Sequence, residues 1–334
     1  MPKKHNAPLR TLIVQPEDAV LPVLGLMTMA ARSLDVKQFT LGEPRLVQAI
    51  IDAHRRGVVV RVMLNPHRSS GSRANDDAFA AFEQAGVSVQ WSNPAFAVTH
   101  EKSMVVDGTH ALIATFNFVE KYFTETRDYG IVTTDAAQVA QVAQGFEADW
   151  NRTEFAPGEG AGLAWSTSNS RRLMARFIDE AHKSLRVQHP KFVDATVLAR
   201  LVEAQSRGVH VRVLCGGKHG ISDTDIPDTF SSLRILDRFG VKVHRQKQPK
   251  LHAKLLVADG VRAFVGSMNI DRSAFDLRRE LGIIVEDEPL VERLADVFER
   301  DWDRSHRWDP PDPLAASEHH DPDELPHDPD FIHE

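Results

Sequence analysis

The chain has 334 residues, 42% apolar and 26% charged, which excludes a wholly disordered or collagen-like polypeptide and suits one large domain or two ordinary ones. The net charge of −7 sits at one end: residues 309–334 carry nine acids and no Lys or Arg, and removing them leaves +2 for residues 1–308. A near-neutral body argues against coating nucleic acid by charge alone, and the lone cysteine, Cys215, excludes an internal disulfide and is too little for a zinc finger or an iron–sulfur cluster.

Taken in order, the first predicted element is an apolar helix within Ala19–Ala31, 13 residues and too short to span a bilayer. Residues 45–66, RLVQAIIDAHRRGVVVRVMLNP, read as an amphipathic helix, an Arg-Gly stop and an alternating strand. The same text returns at 197–217, VLARLVEAQSRGVHVRVLCGG, so that Arg56-Gly57 and Arg207-Gly208 stand 151 residues apart. AGVSVQW (85–91) matches FGVKVHR (239–245), and Asp149-Trp150 matches Asp301-Trp302 at a spacing of 152. The chain is therefore a duplicated α/β unit. Alternating helices and β-rich runs predict, in each half, a mixed, mostly parallel sheet flanked by helices. The expected lobes are residues 1–156 and 157–308, with a linker near Ala156-Pro157-Gly158-Glu159-Gly160. Residues 309–334 hold six of the 18 prolines and are expected to form a disordered acidic tail, whose four histidines are more simply solvated than metal-bound.

Both halves carry one polar signature inside an apolar strand. The first is His100, Lys102 and Asp107, followed by Ala114-Thr115-Phe116-Asn117. The second is His252, Lys254 and Asp259, followed by Gly266-Ser267-Met268-Asn269. Lys follows His by two, Asp follows Lys by five and Asn follows Asp by ten, with the histidines 152 apart. Residues i and i+2 of a strand share a face, so imidazole and ammonium project side by side. If the strand after the Asp-Gly turn neighbours the first, Thr115 and Asn117, or Ser267 and Asn269, join them. Two histidines and two lysines suit a phosphodiester. Lysines neutralise charge on the transferred phosphoryl group, Asn and Ser/Thr add donors, one imidazole attacks phosphorus, and the other protonates the leaving oxygen. Each imidazole needs an orienting acid, and Asp128 and Glu280 each lie 28 residues after the histidine of their own half. Asp107 and Asp259, at turns beside glycine, are expected to be structural. One copy of His-x-Lys would be a surface accident; two in register are not.

The doubled His-x-Lys-x4-Asp pattern with its downstream Gly-Ser-x-Asn resembles the phospholipase D superfamily, specifically its two-motif, cardiolipin-synthase-like members, over residues 10–308. The resemblance implies two α/β lobes with the active site at their pseudo-twofold interface, a covalent phosphohistidine intermediate and no cofactor or metal. It implies His100 as nucleophile and His252 as general acid/base, and Lys102, Lys254, Asn117 and Asn269 as the phosphate-binding set, with Asp128 and Glu280 bonded to the histidines. Ala114, Thr115 and Asp128 depart from the Gly, Ser and Glu usual at their places. The expected reaction is phospholipase D-type hydrolysis or phosphatidyl transfer on phospholipid, by a monomer in the cytoplasm at the membrane surface. Nucleic acid is the alternative substrate: Arg171-Arg172, Arg278-Arg279, and Lys247 with Lys250 could hold its backbone, though solvated faces explain them equally well, and the intact His and Lys of both halves speak against a third reading, a non-catalytic phosphate-binding scaffold. Lys218 and Arg68, in loops after strand ends, are candidate substrate contacts. His189-x-Lys191 repeats the spacing without the rest of the signature and reads as accidental.

Overall fold

The computed structural model describes residues 8–67 and 71–312. The first repeat runs β1 (Arg10–Gln15), α1 (Leu21–Met29), β2 (Ser33–Gln38), α2 (Pro44–Arg55), β3 (Val59–Leu64), α3 (Asp76–Ala85), β4 (Ser88–Trp91), β5 (Ser103–Val106), β6 (His110–Ala114), α4 (Glu120–Thr124), β7 (Thr126–Thr133) and α5 (Ala136–Asn151). The second runs β8 (Leu163–Trp165), α6 (Ser170–Asp179), β9 (Ser184–Gln188), α7 (Ala195–Ser206), β10 (His210–Cys215), α8 (Ile226–Arg238), β11 (Lys242–Arg245), β12 (Lys250–Leu251), β13 (Leu255–Ala258), β14 (Arg262–Gly266), α9 (Arg272–Asp276), β15 (Leu281–Val285), α10 (Glu288–Asp303) and β16 (His306–Arg307). Among the described residues no helix is long and apolar enough to cross a membrane. The expected tail lies outside the described residues from 313 onward.

The strands form two mixed sheets with equivalent cores. One has the order β1-β7-β6-β5-β2-β3-β4, and the other β16-β11-β10-β9-β13-β14-β15-β8. The α/β class and the duplication hold, but antiparallel pairings outnumber parallel ones. Among the described residues, parallel strand pairing is found in β2-β3-β4, in β9-β10-β11 and between β12 and β7, besides isolated bridges. Helical crossovers connect the parallel strands within each repeat. The motif strands are instead joined by tight three-residue turns that begin Asp-Gly, and so short a connection permits only antiparallel neighbours.

Those turns explain the motif aspartates. Asp107 and Asp259 adopt left-handed backbone at φ 54° and 55°. Each carboxylate gathers the backbone N–H groups at the start of its neighbouring strand: Ala31, Arg32 and Ser33 for Asp107, and His182, Lys183 and Ser184 for Asp259. The donors hold both carboxyls below their ordinary range even though burial, the largest single influence, pushes them up. A four-residue strand separates each aspartate from the polar cluster at its other end, roughly 13 Å, so neither shares a ligand with its histidine.

The repeats do not pack as separate bodies. One apolar cluster takes Leu12, Val14, Ile113, Tyr129 and Val142 from the first repeat, and Trp165, Leu255, Val265, Ile283 and Val291 from the second. At Gly145 α5 approaches β8 so closely that a Cβ would meet the Trp165 ring at 2.5 Å. Strand β12, from the second repeat, is hydrogen-bonded to the sheet of the first through Lys250↔Thr126 and Leu251↔Arg127. Its counterpart is the isolated parallel bridge Thr99↔Arg279.

Candidate active site

The two His-x-Lys pairs stand at the entrances of β5 and β13 rather than inside them. All four side chains are buried, at 0–1% exposure. Lys254 Nζ lies 2.8 Å from His252 Nε2, the side-by-side placement the spacing predicts. Lys102 Nζ donates to the His100 carbonyl at 2.9 Å. Phe39 packs edge-on against His100 with ring centroids 4.9 Å apart, and Tyr122 leans on His252 at 4.7 Å.

The acids are exchanged between the repeats. His100 Nδ1 lies 3.0 Å from both oxygens of Glu280, and His252 Nδ1 lies 2.7 Å from Asp128 Oδ1. Equal spacings within each half pointed to Asp128 for His100 and Glu280 for His252; the fold pairs them the other way. The cause is backbone pairing. The segment before each histidine runs alongside the acid-bearing strand of the other repeat, with His100 N donating to Arg279 O at 2.9 Å and His252 N to Arg127 O at 3.3 Å. Each histidine is thus anchored one residue from the opposite acid, which brings both motif sets to one interface. The strand partners β6 and β14 also meet there.

Glu280 is held below its ordinary range. Burial alone would raise it, but the His100 and Lys102 charges and the His100 hydrogen bond more than offset that. A carboxylate only accepts, so the Nδ1 of His100 that faces Glu280 carries a proton. Thr115 and Ser267, expected among the substrate-binding groups, face these acids instead. Thr115 Oγ1 donates to Asp128 at 2.5 Å and Ser267 Oγ to Glu280 at 2.6 Å. The same oxygens accept the Tyr129 and Leu281 backbone N–H groups at 2.9 and 3.1 Å. A hydroxyl has one proton to give, and here it goes to the carboxylate. Of the asparagines, Asn269 is 2% exposed and its Oδ1 makes no hydrogen bond. Asn117 is buried at the equivalent place in the first repeat.

A second layer escaped the sequence reading. Arg127 pairs with Asp301 at 2.7 Å and Arg279 with Asp149 at 2.8 Å, again across the repeats. Each arginine precedes a site acid and each aspartate belongs to an Asp-Trp repeat. Their shared spacing of 152 residues was the signal. Lys37 joins Asp149 (2.6 Å) to Glu101 (3.0 Å) beneath the first motif. His189 and Lys191, read as accidental, support the second. His189 Nε2 donates to Met268 O at 3.2 Å, and Lys191 bridges Asp225 and Asp271 at 2.8 and 2.9 Å. Burial, then the Lys254 charge, push His189 down to about 3. Gln38 and Thr40 take these positions in the first repeat, buried and with no hydrogen bond to the Gln38 amide or the Thr40 hydroxyl. Lys218 is half-buried in the loop after β10, and Arg68 lies outside the described residues. Cys215 is buried, its thiol pushed up to about 12 by burial, and donates to His244 O at 3.4 Å.

The family model described as cardiolipin synthase, PLD-like domain matches twice, at residues 23–150 and 174–302, one copy per repeat. The chain belongs to the phospholipase D superfamily. A cardiolipin synthase from Oceanobacillus iheyensis is 27% identical over 304 residues, covering 78% of this chain and 61% of the relative. Cardiolipin synthase A from Pseudomonas aeruginosa is 30% identical over 239 residues, 64% of this chain and 48% of the relative. This superfamily member therefore spans about half to three-fifths of the length of those relatives. Two solved structures share its fold. Phosphatidylserine synthase from Haemophilus influenzae has a TM-score of 0.70 at 13% identity, over 90% of this chain and 87% of that one. Polyphosphate kinase from Porphyromonas gingivalis has 0.71 at 17% identity, over 90% and 48%.

Proposed function

We propose that the chain is a phospholipase D-type phosphatidyltransferase or phosphodiesterase acting on phospholipids at a membrane surface, as a monomer, through a phosphohistidine intermediate. The observation that carries this reading is the crossed pairing, which presents two acid-backed imidazoles and two ammonium groups at one interface. The cardiolipin synthases among its relatives support phospholipid as substrate.

In this reading the non-bridging phosphate oxygens lie against Lys102, Lys254, Asn117 and Asn269. Lys254 shifts from His252 Nε2 to the anion. Nε2 of His100 attacks phosphorus, the P–O bond to the headgroup breaks, and the His252 imidazolium gives its proton to the leaving oxygen. His252 then takes a proton from water or an alcohol, whose oxygen displaces His100 and breaks the P–N bond. Charge on the phosphoryl oxygens is met by ammonium groups, each worth about 4 kcal/mol at ~4 Å before desolvation. Glu280 and Asp128 hold each ring's Nδ1 proton throughout. Three of the four arginines named for a nucleic-acid backbone serve protein ion pairs: Arg171 with Asp194 and Asp276, Arg172 with Glu159, and Arg279 with Asp149.

The test is product analysis in EDTA with phosphatidylglycerol vesicles and, separately, single-stranded DNA. A released headgroup or a new phosphatidyl ester is expected. Nicked DNA without lipid turnover would establish the nuclease reading instead, and no turnover of either or of a chromogenic diester would leave a binding scaffold. His100→Ala and His252→Ala should each abolish turnover, and Lys102→Ala or Lys254→Ala should cost at least ~10²-fold. A bell-shaped pH–rate profile is expected, because one imidazole acts neutral and the other charged.

A further inference from the structure

The two backbone crossings that anchor the histidines are equivalent by the repeat but opposite in chemistry. Beside His252, Lys250 N donates to Glu125 O at 3.0 Å and the Lys250 ammonium pairs with Glu125 at 2.9 Å. Lys247, Gln248 and Pro249 complete that segment. Beside His100, Val98 stands at the position of Lys250 and Leu277 at the position of Glu125. There Ala97 N donates to Leu277 O at 2.9 Å. The segment Pro94-Ala95-Phe96-Ala97-Val98 carries no charge, and its Phe96 ring lies on the Arg279 guanidinium, 4.8 Å from centroid to Cζ. Leu277 is 56% exposed, three residues before Glu280. An exposed leucine backed by an uncharged loop, directly across the pseudo-twofold axis from a lysine–glutamate pair, is a difference the repeat itself does not require.

We propose that these crossings are two lips of the site with distinct ligands. The Phe96–Leu277 lip takes the acyl side of a phospholipid, and the Lys247–Lys250 lip takes the polar, preferably anionic, alcohol that leaves or accepts. This rests on the phosphatidyl-transfer reading and adds an orientation to it. The diacylglycerol enters on the side of His100, and the alcohol exchanges on the side of His252. Apolar contact at one lip removes chain surface from water, and two lysine ammonium groups at the other, that of Lys250 paired with Glu125, form a polar rim suited to a charged acceptor. The proposal therefore names Leu277, Phe96, Lys247 and Lys250 as specificity-determining residues outside the phosphate-binding set.

Two comparisons test it. Turnover of dioleoylphosphatidylglycerol in vesicles is measured beside that of bis(p-nitrophenyl) phosphate, a soluble diester without acyl chains. Leu277→Asp should lower the vesicle rate about tenfold relative to the soluble rate. Val261→Asp, equally exposed at 62% on the far β13–β14 turn, should leave that ratio unchanged. Transfer onto sn-glycerol 3-phosphate is then compared with transfer onto glycerol, and Lys247→Gln/Lys250→Gln should reduce the preference for the charged acceptor about threefold. Equal losses on both diesters, no loss on either, an equal effect of Val261→Asp, or an unchanged acceptor preference would overturn the assignment. Flotation with phosphatidylglycerol vesicles separates this from the reading it rests on. If the wild-type chain turns over no diester, that reading fails. Weaker flotation of Leu277→Asp than of Val261→Asp then still supports the lip, and equal flotation overturns it.

Discussion

At the scale of single residues the decisive feature is which acid orients which imidazole. A double-mutant cycle reads it. Glu280→Gln and Asp128→Asn should each cost at least ~10²-fold in turnover. His100 should show coupling with Glu280 and His252 with Asp128, while His100 with Asp128 and His252 with Glu280 behave additively. The identities of His100, Lys102, His252 and Lys254 were legible because they recur in register. The exchange of acids was not, because a spacing of 28 in both halves looks alike whether the partner is near or across an interface. Nor was the true partner of Thr115 and Ser267 legible: a hydroxyl two residues before an asparagine does not announce whether it faces a phosphate or a carboxylate. His189 gives a prediction of another kind. Its imidazole is buried neutral with its folded value near 3, against an ordinary 6.5. The unfolded chain therefore binds the extra proton between those limits. Stability should fall as pH drops below 6.5, by up to ~1.4 kcal/mol per unit. His189→Gln, which installs the residue found at equivalent position 38, should flatten that slope in urea titrations at pH 7, 6, 5 and 4.

At the scale of elements, the Asp-Gly hairpins and the segments entering the histidines do most of the positioning. The aspartates were legible as turn residues. That each carboxylate collects three N–H groups from the neighbouring strand was not, because those donors lie 74–77 residues away. The direction of the sheets was over-read as parallel, since helix–strand alternation describes only the half of each sheet built by crossovers. The crossed arginines bear on stability. Arg127 is buried among Asp301, Glu17 and the Gln15 carbonyl. Removing it leaves the Asp301 carboxylate with Gln188 as its remaining polar side-chain partner. Arg127→Ala should cost about 3–5 kcal/mol, measured by urea unfolding. A double replacement by apolar residues of similar volume, Arg127→Met with Asp301→Leu, should cost much less.

At the scale of the whole molecule, duplication was plain from the sequence but the shared core was not. Alternation along a strand shows that one face is buried, never against which neighbour. The sequence leads one to expect the boundary between repeats at 156/157, yet Trp165, Leu255 and Val265 pack with Leu12, Ile113 and Tyr129 in a single cluster. Expressed alone, residues 1–156 should expose that surface and bind a hydrophobic dye with broadened near-ultraviolet signals. Co-expression with 157–334 should restore both a folded complex and turnover.

The exchanged acids also set an order of events during synthesis. A ribosome that has released residues up to about 150 has made the His100 imidazole, but the carboxylate behind it is still unwritten, 180 positions downstream of His100. The nascent first half therefore carries His100 without its acid, and that ring is completed only when the Glu280 segment entering β15 docks.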